Sequence, residues 1–139
     1  MRNLKTHLLA ATAVMALSIT PALASHSMEF PSMGGCSPAG VVTQVPAGFV
    51  GNITHGQLTV FQPTSQPDVT VWLKAPDGTI LAHLGPGEVQ SVDSLGFTGI
   101  GPNDRPAVTS ATQLLTLTAV CYPQSDTGFN FNATVTYVP

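Results

Sequence analysis

Short runs of alternating apolar and polar residues, divided by glycine and proline, constrain the fold of this chain more than any other feature. In the clearest run, 68–74, two valines and a leucine occupy every second position, which is the period of a strand with one buried face. The turn 75–78 reads Ala-Pro-Asp-Gly, so proline presets φ and glycine accepts a positive φ before 79–84 returns. These residues predict a β-hairpin.

Other runs of the same kind recur along the chain. They lie at 41–45, 49–53, 58–61, 88–92, 113–122 and 129–138. Seven or eight short strands without a helical period predict an all-β fold, a single antiparallel β-sandwich with an immunoglobulin-like Greek key as the default topology. Because a short segment joins the last two strands, we expect them to be antiparallel neighbours. The segment 96–106 has no period and is predicted to be a surface loop.

The first 24 residues have the pattern of a secretory signal peptide. Arg2 and Lys5 precede an apolar run at 8–19 that is too short to span a bilayer. Residues 22–24 read Ala-Leu-Ala, which offers the small residues of a signal peptidase site. We predict that residues 1–24 are cleaved and that the protein is secreted or periplasmic.

The mature chain is predicted to contain one domain. Residues 25–35 include Pro31 and two glycines and keep no lasting period, so we predict a flexible N-terminal arm there. Residues 36–139 then form the β-sandwich domain. Removing 24 of 139 residues leaves 115, an ordinary size for one domain with no room for a second.

The mature chain is acidic and carries few charges. Lys74 and Arg105 remain against seven acidic residues, which gives a formal charge of about −5 (2 minus 7). This balance excludes a nucleic acid partner, because phosphate binding needs clustered lysine and arginine. No second apolar stretch approaches the length of a membrane span, so we expect no membrane insertion after cleavage.

The chain has two cysteines, Cys36 and Cys121. In an oxidising compartment two lone cysteines predict one disulfide, and Cys121 continues the apolar face of its strand. Lipid attachment and a reactive thiol are the other two interpretations. Lipidation needs a cysteine directly after the signal, and a reactive thiol needs a compartment that keeps thiols reduced.

No set of residues in the sequence predicts catalysis. His55 lies beside a turn glycine and His83 lies within the returning strand of the hairpin, so both are interpreted as surface or strand-face residues. The acidic residues lie at predicted turns and strand ends, where solvated carboxylates are common. A small hydrolase would need a group with a strongly shifted pKa in a pocket. We predict a protein that is not an enzyme and uses no cofactor.

Copper binding is the alternative that the N-terminal arm suggests. After cleavage, the free amine of Ser25 and the imidazole of His26 could chelate Cu(II), while Met28 and Met33 are soft ligands suited to Cu(I). In its His and Met usage the arm resembles small exported β-sandwich proteins that handle copper. It departs from the cupredoxin ligand set, because neither His nor Met follows Cys121. The other interpretation is a polar arm without a metal.

The last strand offers a recognition surface. Its predicted outward side carries Asn130, Asn132, Thr134 and Thr136, and the neighbouring predicted strand carries Thr116 and Thr118. If these faces lie together, they form a flat, uncharged surface suited to glycans or to copies of the same protein. Alternatively, threonine and asparagine simply cover an exposed sheet face where charge is scarce.

The loop 96–106 contains two apolar residues, Phe97 and Ile100, between glycines. They could present apolar side chains to a partner, and they could equally pack beneath the loop. Both interpretations stay open at the level of sequence.

The C-terminal segment 128–137, Gly-Phe-Asn-Phe-Asn-Ala-Thr-Val-Thr-Tyr, resembles the closing strand of secreted fimbrial subunits. That resemblance implies assembly by strand addition. We therefore predict an exported, non-catalytic β-sandwich that acts through surface contacts, as a structural, adhesion or assembly component. Its partners would be a protein or glycan surface or further copies of itself, and a small glycan-binding module is a further alternative.

Overall fold

The computed structural model shows a β-sandwich of nine strands. It describes residues 23–61, 68–85, 92–98, 105–122, 124 and 128–139. The strands are β1 (Ala24–Met33), β2 (Val41–Pro46), β3 (Gly51–Phe61), β4 (Asp68–Lys74), β5 (Ile80–Leu84), β6 (Val92–Thr98), β7 (Ala107–Val108), β8 (Leu114–Tyr122) and β9 (Phe129–Val138). The described ranges contain no helix that could span a membrane.

Two antiparallel sheets form the sandwich, as predicted. One has the order β1-β9-β3-β6, with β7 pairing to the start of β3, and the other has the order β2-β8-β4-β5. The strand count exceeds the predicted seven or eight because β1 and β7 were not predicted. The single strand β3 replaces the two strands predicted at 49–53 and 58–61, which lowers the count by one.

The strand order is that of a jelly roll. The paired strands β1·β9, β2·β8, β3·β6 and β4·β5 are nested, as if one long hairpin had been rolled up. Of these four pairs, only β4 and β5 are consecutive in sequence. The strand order of an immunoglobulin domain, which is the default prediction from the sequence, is therefore not observed. The sandwich architecture itself is confirmed.

The last two long strands are not neighbours, contrary to the prediction. β8 pairs with β2 and β4, whereas β9 pairs with β1 and β3 in the opposite sheet. The connection between them passes from one sheet to the other. Both edges of β9 are thus occupied, so strand addition to it would require β1 to leave.

The predicted hairpin is confirmed as β4 and β5. The amide of Gly78 donates to the carbonyl of Ala75 at 3.0 Å, and the amide of Ala75 donates to the carbonyl of Thr79 at 2.9 Å. The amide of Thr79 also donates to Oδ1 of Asp77 at 2.9 Å. Gly78 has a φ of 87°, the left-handed conformation for which the turn needs glycine.

The predicted flexible arm at 25–35 is wrong for residues 25–33, which form β1 as an edge strand beside β9. Met28, Phe30 and Met33 are buried, each with 4% of its surface exposed. Burial of this apolar face overrides the local effect of Pro31. Proline is tolerated here because it lies on an edge strand, at the irregularity between Phe30 and Met33.

The predicted disulfide is confirmed. Cys36 and Cys121 are both buried and bonded, with their Cα atoms 5.8 Å apart. Cys121 lies on the inner side of β8, one residue before its end, and Cys36 lies between β1 and β2, so the bond ties the segment that leaves one sheet to the end of β8 in the other. Closing a loop with a sequence separation of 85 stabilises the fold by at most about 4.6 kcal/mol.

Candidate functional site

The outer side of the five-stranded sheet is a polar face. Its described polar residues are Ser25, Ser27, Glu29, His55, Gln57, Thr59, Thr98, Asn130, Asn132, Thr134 and Thr136, and Phe61 lies at one end of the same side. Three of the predicted binding residues, Asn132, Thr134 and Thr136, lie here at alternate positions of β9. Thr134 is paired between Ser27 and Gln57. Thr116 and Thr118 lie on the other sheet, so the predicted union of the two polar strands does not occur.

A buried threonine supports one end of the polar face. Thr54 lies at the irregularity of β3 between Ile53 and His55, with 8% of its surface exposed. Its hydroxyl donates to the backbone carbonyl of Thr136 at 3.0 Å and lies 3.2 Å from Nδ1 of His55. This contact fixes β9 against β3, and nothing in the alternation predicted it.

A groove of about 500 Å³ lies at the opposite end of the polar face, and we call it the Phe61 groove. Its lining residues come from β1, β3 and β9: Glu29, Phe30, Pro31, Ser32, Phe61, Asn130, Phe131 and Asn132. The irregularity of β1 after Phe30 shapes one wall. On that wall the hydroxyl of Ser32 donates to Oδ1 of Asn130.

Phe97 belongs to the core. It lies in β6, opposite Gly56, with 8% of its surface exposed. A Cβ atom on Gly56 would lie 2.5 Å from Cζ of Phe97, so the ring occupies the space that glycine leaves. Of the two interpretations left open for Phe97, the structure agrees with inward packing and not with presentation to a partner. Ile100 lies outside the described residues.

The outer side of the four-stranded sheet is an apolar face. Its apolar residues are Val42, Trp72, Ile80, Leu114, Val120 and Tyr122, and they share the outer side with Gln44, Thr70, Thr116, Thr118, His83 and the charged ends of β4. Tyr122 is 72% exposed, Val42 59% and Ile80 54%. Several exposed apolar side chains on one face of a sheet are a feature of interaction surfaces. This face was missed from sequence, although Trp72 on the outward side of its strand was the available signal.

The centre of the apolar face is ordered by ring stacking. Trp72 and His83 occupy paired positions of β4 and β5, with ring centroids 5.3 Å apart and planes 10° from parallel. Thr118 and then Val42 continue the same row across β8 and β2. The row therefore crosses the sheet from one edge strand, β5, to the other, β2.

The apolar face carries one charge of each sign on β4. Asp68 begins the strand and Lys74 ends it, and both project outward. Six residue steps separate them, which corresponds to roughly 20 Å along an extended strand. Opposite charges thus stand on either side of Trp72.

The structure does not assemble the predicted copper ligands. Met28 and Met33 are buried in the core, and the ring of His26 packs against Phe49 with centroids 5.8 Å apart. A Cβ atom on Gly48 would lie 2.8 Å from Nε2 of His26, so the neighbouring loop covers that nitrogen. The copper prediction assumed a free arm, and it is corrected because these residues are part of β1. Among the described residues, no group of three or more His, Cys, Asp and Glu side chains could hold a metal ion.

Comparisons with known proteins return distant structural similarities. No protein-family model matches the chain, and no curated protein sequence matches it. A pilus protein of Bacillus endospore appendages has a TM-score of 0.41 and 12% identity, with 99% of this chain and 100% of that chain covered. The VP2 protein of infectious bursal disease virus has a TM-score of 0.43 and 14% identity, with 84% and 33% covered.

An arabinose-bound α-L-arabinofuranosidase has a TM-score of 0.47 and 16% identity. The alignment covers 78% of this chain and 19% of that chain, so the present chain spans about a fifth of the enzyme. We therefore infer the function of this protein from its own residues.

Proposed function

We propose that this chain is an exported, non-catalytic β-sandwich that acts as an assembly component, and that two copies associate through the apolar face. The exposed side chains of Val42, Ile80 and Tyr122 on one sheet carry this proposal. Export is supported by the pattern of residues 1–24.

Association would remove this apolar surface from water. Full burial of a large apolar side chain is worth about 1.5–3 kcal/mol, so a few such residues supply a large share of a binding free energy. The row that includes Trp72 and Val42 suits face-to-face packing of two sheets. A second copy offers the same surface.

The charges on β4 favour a second copy arranged about a twofold axis. If the axis lies in the interface at right angles to β4, the two β4 strands run in opposite directions. Asp68 of one copy then faces Lys74 of the other, and the same pair forms twice. The apolar face is therefore complementary to itself in charge as well as in hydrophobicity.

Charge reversal tests this proposal. We expect light scattering of the oxidised mature chain to show a dimer, and we expect D68K or K74D alone to weaken dimerisation at least tenfold by placing like charges together. The double variant D68K/K74D should restore the dimer because it exchanges both signs. Reversal of the exposed turn residue, D77K, is the control. A monomeric wild type, or single variants that dimerise as wild type does, would contradict the proposal.

A further inference from the structure

The Phe61 groove combines an exposed aromatic ring on β3 with polar side chains on β9 and β1. Phe61 is 42% exposed, whereas most large apolar residues of the same sheet point inward. Glu29, Ser32, Asn130 and Asn132 supply a carboxylate, a hydroxyl and two amides. The volume of about 500 Å³ lies within the range of 300–1,000 Å³ that is typical of small-ligand sites.

Several polar groups in the groove are unused by the fold. No hydrogen bond or ion pair joins the side chain of Glu29 or of Asn132 to another described residue. Asn130 accepts from Ser32 through Oδ1, so its amide nitrogen keeps both hydrogens to donate. The groove thus offers two acceptor oxygens on one carboxylate and donors and acceptors on two amides.

Planar carboxylate and amide groups can each hold two adjacent hydroxyl groups. An aromatic ring in the groove offers an apolar platform for the C–H side of a saturated ring. A sugar has both features, namely adjacent hydroxyl groups on its rim and an apolar face. The arrangement of Phe61 on β3, Asn132 on β9 and Glu29 on β1 therefore has the chemistry that a sugar ring needs.

The charge of the groove argues against an anionic ligand. Among the described lining residues Glu29 is the one charged residue, and none of them is a lysine or an arginine. An anionic ligand would meet an unpaired carboxylate and no cation. We propose that the Phe61 groove binds a neutral saccharide. This proposal goes beyond self-association, because the groove lies on the opposite sheet from the apolar face.

Titration calorimetry of the oxidised mature chain tests the proposal. The probes are chitotetraose, cellotetraose, mannotetraose and galactotriose. Each saccharide is titrated in the absence of calcium, and calcium chloride is titrated alone in a separate experiment. We expect at least one saccharide to bind the wild type. F61S and N132A should each weaken that binding at least tenfold, and E29Q should weaken it several-fold. T136A, on the same polar face but outside the groove, should bind as the wild type does.

Thermal melting of each variant shows whether it folds. Glu29 is exposed, so E29Q tests the groove without disturbing the core. Absence of binding by all four saccharides would overturn the proposal, whether or not calcium binds. Unchanged binding in folded F61S and N132A would also overturn it. Failure here leaves dimerisation through the apolar face unaffected, because D68K and K74D act on the other sheet.

Discussion

The two outer faces of the sandwich differ in chemistry although the same alternation builds both. Among the described residues, the polar face presents hydroxyl and amide groups with Glu29 as the one carboxylate, whereas the apolar face presents Trp72, Tyr122 and aliphatic side chains among its threonines. The inner faces are alike, since both are filled by residues such as Leu117 and Val135 that are fully buried. Folding thus fixes the inner residues and leaves the outer ones free to serve different contacts.

Removal of the disulfide between the two sheets should have the largest effect on stability. The double variant C36S/C121S should lower the free energy of unfolding by about 4 kcal/mol, because the unfolded chain regains the entropy of an open loop. Urea denaturation of the oxidised wild type and the variant measures the difference. Reduced wild type is the control and should match the variant, while a loss below about 1 kcal/mol would contradict a role of this bond in holding the sheets together.

Replacement of Phe97 should show that its ring stabilises the fold by packing in the core. F97A should cost about 3 kcal/mol of stability, because a buried ring is lost from the space above Gly56. F61A is the matched control, since that ring is 42% exposed and its loss should cost far less. Chemical denaturation of both variants gives the comparison. An F97A protein as stable as wild type would show that this ring is not part of the core.

Lysine substitutions on the two faces should affect association differently. V42K/Y122K should weaken dimerisation at least tenfold, because two charges would lose water on the apolar face. Q57K/T134K places the same two charges on the polar face and should leave the dimer intact. Sedimentation velocity of both variants measures the outcome. Equal weakening by the two pairs would mean that the faces do not differ in the proposed way.

Thr54 should make a smaller contribution at one end of the polar face. T54V should destabilise the fold by about 1 kcal/mol, because the carbonyl of Thr136 loses a hydrogen bond inside the protein. T134V is the control, since the side chain of Thr134 lies on the polar face. Thermal unfolding of the two variants distinguishes them, and equal melting temperatures would argue against a stabilising role of this hydrogen bond.

The sequence predicted the features that depend on local pattern and on covalent chemistry. These are the β4–β5 hairpin, the antiparallel sandwich and the bond between Cys36 and Cys121. The order of strands could not be predicted, because a strand alternates in the same way in whichever sheet it lies. The strand β1 was missed because Pro31 interrupts the pattern, although Met28 and Phe30 alternate just before it.

The candidate sites were harder to predict from the sequence, because they depend on contacts between residues that are distant in sequence. The Phe61 groove needs β1, β3 and β9 to meet, so its lining residues come from distant parts of the sequence. Phe97 was assigned to a loop because glycine surrounds it, and its burial became evident only from its pairing with Gly56. The polar alternation of Asn132, Thr134 and Thr136 did predict one outer face, since these residues share a strand.

Trp72 provides the most direct test of the central claim, that the apolar face is the contact surface. It is the one tryptophan of the chain and lies at the centre of that face, so its fluorescence reports on that surface alone. With rising protein concentration we expect the emission to shift to shorter wavelength and acrylamide quenching to fall, in step with dimerisation seen by light scattering. Dimerisation with unchanged Trp72 emission and quenching would contradict the claim.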